Sequence, residues 1–103
     1  MTITQAETLA RRDEATLEGE ISSKFFADQD KAVGKAMVAC GVKTAREMAG
    51  IMVVMRLNKQ GRVTRTWLNK PSELGQCFRT RLESAVMQTD GRPELYSFVN
   101  FKF

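Results

Sequence analysis

The spacing of apolar residues changes from a helical period to a strand period near the middle of the chain. Before residue 41 the apolar positions recur at intervals of three, four and seven, which is typical of helices that bury one side. After Gly50 they alternate one by one, which is typical of strands. A helical period returns after residue 73, and alternation returns at the C-terminus. The pattern predicts the order helix, helix, strand, strand, helix, strand.

Three segments carry the helical pattern. The first has a thin apolar stripe and begins at Thr4, which forms a capping-box pattern with Glu7, so we expect this helix to depend on tertiary contacts. The second is predicted near 23–40 and ends before Gly41, a residue suited to a left-handed C-cap. The third is predicted near 73–87. The stripe positions are Ile3, Ala6, Ala10, Leu17, Ile21, Phe26, Val33, Met37, Cys40, Leu74, Cys77, Phe78, Leu82, Ala85 and Val86.

Alternation predicts three strands, over residues 51–58, 62–68 and 95–103. The first two form a hairpin, because Gly61 can take the positive φ that a tight turn requires. In the second strand, Val63 and Trp67 are predicted to share a face. The core face is predicted to hold Ile51, Val53, Met55, Leu57, Leu95, Val99, Phe101 and Phe103. The opposite face is predicted to hold Met52, Val54, Arg56, Asn58, Tyr96 and Phe98.

These elements predict an α+β fold with a three-stranded antiparallel sheet and two helices packed on one face, preceded by a weaker N-terminal helix. A chain of 103 residues has the length of one domain. We expect a helical extension over residues 1–22 and the folded domain over residues 23–103. The last strand follows a helix and must pair beside one of the first two strands, so we expect it at a sheet edge with open main-chain groups.

Composition is typical of a soluble domain, with 43% hydrophobic and 27% charged residues. The longest apolar run, from Ile51 to Met55, is far shorter than the roughly 20 residues of a membrane-spanning helix. The first 20 residues carry seven charges where a secretory peptide has an apolar stretch. We therefore expect no membrane insertion, and in the sequence as printed no export signal.

The net charge of +4 is unevenly distributed. Residues 1–32 carry seven acids against four bases, whereas residues 33–103 carry five acids against twelve bases. One hypothesis is a cytosolic basic adaptor that binds nucleic acid or an acidic protein through the hairpin at 51–70. A solvated basic face that keeps the domain soluble is the alternative. The candidate basic residues are Arg56, Lys59, Arg62, Arg65 and Lys70.

The sequence offers no recognisable catalytic or metal-binding group. It contains no His, the residue that most often serves as a general acid or base. No glycine-rich phosphate loop is present. The two cysteines form no CxxC motif and are too few to complete a zinc site. We therefore expect a protein that is not an enzyme and that uses neither a cofactor nor a metal.

The last three quarters of the chain resemble the C-terminal domain of the TonB and TolA energy-transducer families, especially their cysteine-bearing forms. The matching features are Cys40 on a helix, Gly50 before an alternating strand, Gly61-Arg62-Val63 at the hairpin, Cys77 on the next helix and the terminal Phe101-Lys102-Phe103. Their order and spacing carry the resemblance, since each feature alone is common.

This resemblance implies a non-catalytic protein–protein interaction domain of the periplasm that serves energy transduction or transport in the cell envelope. It implies binding of a partner peptide by strand addition to the last strand. The apolar side chains Tyr96 and Phe98 lie beside that edge, and the alternative is that the N-terminal segment or a second copy of the chain, in a homodimer, covers them. The candidate partner-binding residues are Leu95, Tyr96, Ser97, Phe98, Val99, Asn100 and Phe101.

The two cysteines have two interpretations. Helices packed side by side would bring Cys40 and Cys77 within bonding distance, and a disulfide requires an oxidising compartment. Alternatively, both are buried thiols of a cytosolic protein, where they act as small apolar residues. The resemblance favours the disulfide.

Overall fold

A three-stranded antiparallel sheet separates two layers of helices in the computed structural model, which describes residues 1–102. The elements are α1 (Ile3–Ala15), α2 (Gly19–Ala39), a 3₁₀ turn (Ala45–Met48), β1 (Met52–Asn58), β2 (Val63–Leu68), α3 (Glu73–Leu82) and β3 (Glu94–Asn100). The strand order is β2-β1-β3, so β1 is central and β3 is an edge strand. The predicted α+β class, with its antiparallel sheet and N-terminal helix, is confirmed.

The two faces of the sheet carry separate apolar clusters. On one face, the helices α2 and α3 cover a core that contains Phe25, Phe78, Leu82, Ile51, Val53, Met55, Leu57 and Leu95. On the other face, α1 covers a smaller cluster of Ala6, Ala10, Val54, Trp67 and Tyr96. The alternation predicted for β1 and β3 is confirmed, except that Phe103 lies outside the described residues.

The prediction that Val63 and Trp67 share a face is wrong. Trp67 lies opposite Val54 and belongs to the cluster under α1, whereas Val63 lies opposite Leu57 and packs against the other core. The pairing register shifts by one residue between Arg56 and Leu57, which is a β-bulge. An extra residue in one strand reverses the side-chain alternation beyond it.

The helix predicted to run to residue 87 ends at Leu82. The next residues extend along the hairpin turn, where Val86 forms an isolated bridge with Arg62. The Met87 N–H donates to the Gly61 carbonyl oxygen, with an N–O distance of 2.9 Å. Tertiary pairing with the turn therefore replaces the last helical turn that local periodicity favours.

The first two helices also begin at different residues than predicted. In α1 the capping box is formed by Thr2 and Gln5, two residues before the predicted pair. The helix α2 begins at Gly19, so the expected domain boundary at residue 22 falls inside it. Ile21, predicted on an apolar stripe, is 39% exposed.

A disulfide joins α2 to α3. It links Cys40, the C-cap of α2, to Cys77 in α3, with a Cα–Cα distance of 5.9 Å. This bond is compatible with an oxidising, extracytoplasmic environment. Among residues 1–102, no helix has both the length and the hydropathy needed to cross a bilayer.

Candidate interaction surface at the edge of the sheet

The outer edge of β3 is the surface that the resemblance assigns to a partner. In an antiparallel pair, alternate residues direct both main-chain polar groups to the same neighbour. Ser97 lies opposite Met55 of β1. In this register the N–H and C=O groups of Ser97 and Val99 point towards β1. The N–H and C=O groups of Tyr96 and Phe98 consequently point away from the sheet.

Two carboxylates of α1 accept hydrogen bonds from these outward N–H groups. Asp13 Oδ2 lies 2.9 Å from the Tyr96 nitrogen, and Glu14 Oε2 lies 3.1 Å from the Phe98 nitrogen. The Gln29 amide of α2 donates to the Phe98 carbonyl oxygen across 3.4 Å. Side chains thus occupy positions along β3 where the main chain of an adjacent strand would lie.

A buried serine ties this edge to both helices. Ser97 has no exposed surface, and its hydroxyl donates to Glu14. The same Ser97 oxygen accepts from Gln29 Nε2 across 2.7 Å. Among the described residues no buried side-chain nitrogen or oxygen lacks a hydrogen-bond partner, so the network adds no unsatisfied buried group.

The Glu14 carboxylate is held in a partly desolvated position. Burial raises its pKa above the ordinary value, while hydrogen bonds from Ser97 and Phe98, the neighbouring Gln29 amide and the nearby Arg11 charge oppose that rise. Since burial is the largest effect, the ionised carboxylate is less well solvated against β3 than in water. Its place at the edge therefore carries a free-energy cost at neutral pH.

The helix α1 also covers the apolar side of this edge. Its small residues Ala6 and Ala10 pack against the cluster that contains Trp67 and Tyr96, whose ring centroids are 5.9 Å apart. The Arg11 guanidinium lies over the Phe98 ring, 4.6 Å from its centroid. Of the two alternatives for this patch, the structure shows cover by the N-terminal segment.

The seven candidate partner-binding residues thus divide into four groups. The residues with side chains in the core under α2 and α3 are Leu95, Val99 and Phe101. Those under α1 are Tyr96 and Phe98. Ser97 is in the buried polar network, and Asn100 is partly exposed at the end of β3.

Sequence reasoning did not identify Asp13, Glu14 and Gln29 as residues of this surface. Acids on the polar face of a helix are ordinarily solvated, and local spacing does not set these two apart. The sequence shows only that Asp13 and Glu14 lie on the turn that follows the apolar positions Ala6 and Ala10. Their bonding partners are 83 and 84 residues away, which no local pattern reports.

The five basic hairpin residues do not converge on one patch. Arg56 pairs with Glu94 at 3.2 Å, and its cross-strand neighbour Arg65 lies 4.6 Å from the centre of the Trp67 ring. The turn carries Lys59 and Arg62, whereas Lys70 follows the far end of β2. Nothing in this arrangement favours a nucleic-acid interface over a solvated basic face.

Within the described part of the chain, no three His, Cys, Asp or Glu side chains are grouped as metal ligands would be. Comparison with known proteins gave no match to a family, to a curated protein or to a solved structure.

Proposed function

We propose that this chain is a non-catalytic protein-interaction domain that binds an extended segment of a partner by strand addition to β3. The observation that carries the proposal is the bonding of the Tyr96 and Phe98 N–H groups to carboxylates of α1. A strand edge that is closed by side chains retains the main-chain geometry for another strand. In this function α1 is the resident occupant of the edge and the partner strand replaces it.

The contacts of α1 make such an exchange feasible. Its two fully buried apolar residues, Ala6 and Ala10, are small, so α1 itself exposes little apolar surface on release, and the partner must also cover Val54, Trp67 and Tyr96. Release also returns the Glu14 carboxylate to water. The peptide carbonyls that replace it are neutral and cost less to desolvate than a charge. A short connection at 16–18 joins α1 to α2.

The periplasm is the compartment we propose. The Cys40–Cys77 disulfide is compatible with it, and the resemblance to TonB and TolA domains supports it. By the same resemblance, the domain tethers envelope complexes or transmits force in energy transduction.

The proposal is tested with peptides selected from a displayed random library on the oxidised domain. NMR mapping is expected to place a bound ten-residue peptide along residues 94–100. Methylation of the peptide nitrogens that face β3 should abolish binding, because it removes main-chain donors and blocks close approach. Methylation of the alternate nitrogens in the same peptide is the matched control and should leave binding largely unchanged.

The substitutions Asp13→Ala and Glu14→Ala should strengthen binding, since they loosen the resident helix. Peptides that map elsewhere, or that tolerate both methylation patterns equally, would overturn strand addition at β3.

A further inference from the structure

A second surface feature, a groove, combines an apolar floor with a basic rim. It lies between α2 and the segment that follows α3 and has a volume of about 450 Å³. Its floor includes Ala32, Ala36, Ala85 and Val86, and the Val86 side chain is 54% exposed. This surface is separate from the β3 edge, so the inference drawn from it goes beyond the proposed function.

Three cations surround this floor. Lys31 and Lys35 are one turn apart on α2, and Arg81 faces them from α3. In the described chain none of the three has a carboxylate within salt-bridge distance. The one acid lining the groove, Asp28, accepts a hydrogen bond from the Gln88 N–H across 3.0 Å. With three cations and one carboxylate in its lining, the groove carries a net positive charge.

The disulfide fixes the two walls of the groove relative to each other. Cys40 directly follows the last residue of α2, and Cys77 lies one turn before Arg81 in α3. A covalent link this close to the rim limits changes in wall spacing. Preorganised walls reduce the entropy lost when a partner binds.

We propose that this groove binds an acidic amphipathic helix of another protein. One wall is α2, and the other is the end of α3 with residues 84–86, where only Val86 takes part in a β-bridge, so the groove lacks a strand long enough to pair with an extended peptide. A helix satisfies its own main chain and can place apolar residues on the Ala36 and Val86 floor. Carboxylates on its flanks would meet Lys35 and Arg81. A second copy is disfavoured, because a twofold contact would place two basic grooves face to face.

The test uses an 18-residue helical probe with leucines on one face, glutamates beside them and alanines elsewhere. Fluorescence anisotropy with the oxidised domain is expected to give a dissociation constant below about 100 µM, within the range of weak specific complexes. The double variant Lys35→Glu/Arg81→Glu should weaken binding at least tenfold. Arg46→Glu/Lys102→Glu, two exposed charge reversals outside the groove, changes the net charge equally and is the matched control, which should bind as the original chain does.

Circular dichroism establishes whether each variant is folded. If Lys35→Glu/Arg81→Glu is unfolded, Lys35→Gln/Arg81→Gln is used in its place. Equal binding of a probe with Glu→Gln or Leu→Ser changes would overturn the proposal. The proposal would also be overturned if the probe binds at β3 or if the domain self-associates through the groove. A third contrary result is binding of dodecanoate, an apolar chain with one carboxylate, in the groove without binding of the helix. None of these results decides whether a partner adds a strand to β3, which the peptide-methylation experiment tests separately.

Discussion

The Glu14 carboxylate accepts a hydrogen bond from the main-chain N–H of Phe98, 84 residues further along the chain, with an oxygen–nitrogen distance of 3.1 Å. An edge strand ordinarily presents such groups to solvent or to another chain. Here the N-terminal helix closes the edge with side chains. A closed edge is protected from indiscriminate pairing, and under the proposed strand addition a partner would have to displace this contact.

The first prediction concerns the pH dependence of this contact. Because burial raises the pKa of Glu14 above 4.5, the folded state holds its proton more tightly than the unfolded chain does. The contribution of Glu14 to stability should therefore grow as pH falls from neutral through the raised pKa, and level off below 4.5. In Glu14→Gln, whose side chain stays neutral and retains an acceptor, this rise should be absent.

Urea unfolding between pH 4 and 8 measures how the free energy of unfolding depends on pH in the original chain and in Glu14→Gln. Subtracting the Glu14→Gln curve from the original one isolates this residue from other titrating groups. Identical pH slopes for the original chain and Glu14→Gln would contradict the prediction.

The second prediction concerns the disulfide. Residues 40 and 77 are separated by 37 positions, and opening a loop of this length should lower the free energy of unfolding by about 4 kcal/mol on loop-entropy grounds. The double variant Cys40→Ser/Cys77→Ser tests this by urea denaturation. Unchanged stability would show that the bond does not constrain the unfolded chain as proposed.

The third prediction concerns Gly61 in the hairpin turn. Its φ is +79°, and a Cβ there would overlap the carbonyl oxygen of Met87. We expect Gly61→Ala to destabilise the fold by about 3 kcal/mol or more, from backbone strain and displacement of the segment at 85–87. Thermal unfolding measures the change in the free energy of unfolding, and a decrease of less than about 1 kcal/mol would contradict the prediction.

Gly34→Ala is the matched control for that substitution. Gly34 lies inside α2, and a Cβ there meets no atom within 4 Å. The same chemical change should stabilise the protein by up to about 1 kcal/mol, because alanine favours the helix. Opposite signs at the two positions would separate the effect of the turn from the general effect of adding a methyl group.

The sheet could be predicted well from the sequence because each strand buries two different faces. Alternation placed Val53 and Val54 on opposite sides, and the structure places them in the two separate clusters. The resemblance also favoured the correct cysteine pairing. Periodicity failed at Val63, where a bulge reverses the faces, and at the end of α3, where Val86 pairs with the turn.

The candidate interaction surface could be predicted only in part. The sequence placed β3 at an edge and grouped Tyr96 with Phe98 on one face, and the structure confirms both placements. The partners of their N–H groups, Asp13 and Glu14, could not be found in the same way. An acid on an amphipathic helix looks alike in sequence whether it contacts water or a distant strand, because only tertiary packing distinguishes the two.

The fourth prediction concerns the N–H groups at the closed edge. Loss of a charge-assisted hydrogen bond costs about 1.5 to 3 kcal/mol, so Asp13→Ala/Glu14→Ala should speed amide hydrogen exchange at Tyr96 and Phe98 by about tenfold or more. Exchange at Ser97 and Val99, which bond to β1, should change much less. Equal acceleration at all four amides would indicate general destabilisation instead.

The most direct test of the central claim, that α1 leaves β3 while the sheet stays folded, is amide exchange of the unmodified domain with increasing denaturant. The account predicts that Tyr96 and Phe98 exchange through an opening of lower free energy and smaller denaturant dependence than Ser97 and Val99 do. If all four amides exchange only through global unfolding, with one common free energy, α1 is a permanent part of the fold and the claim is wrong.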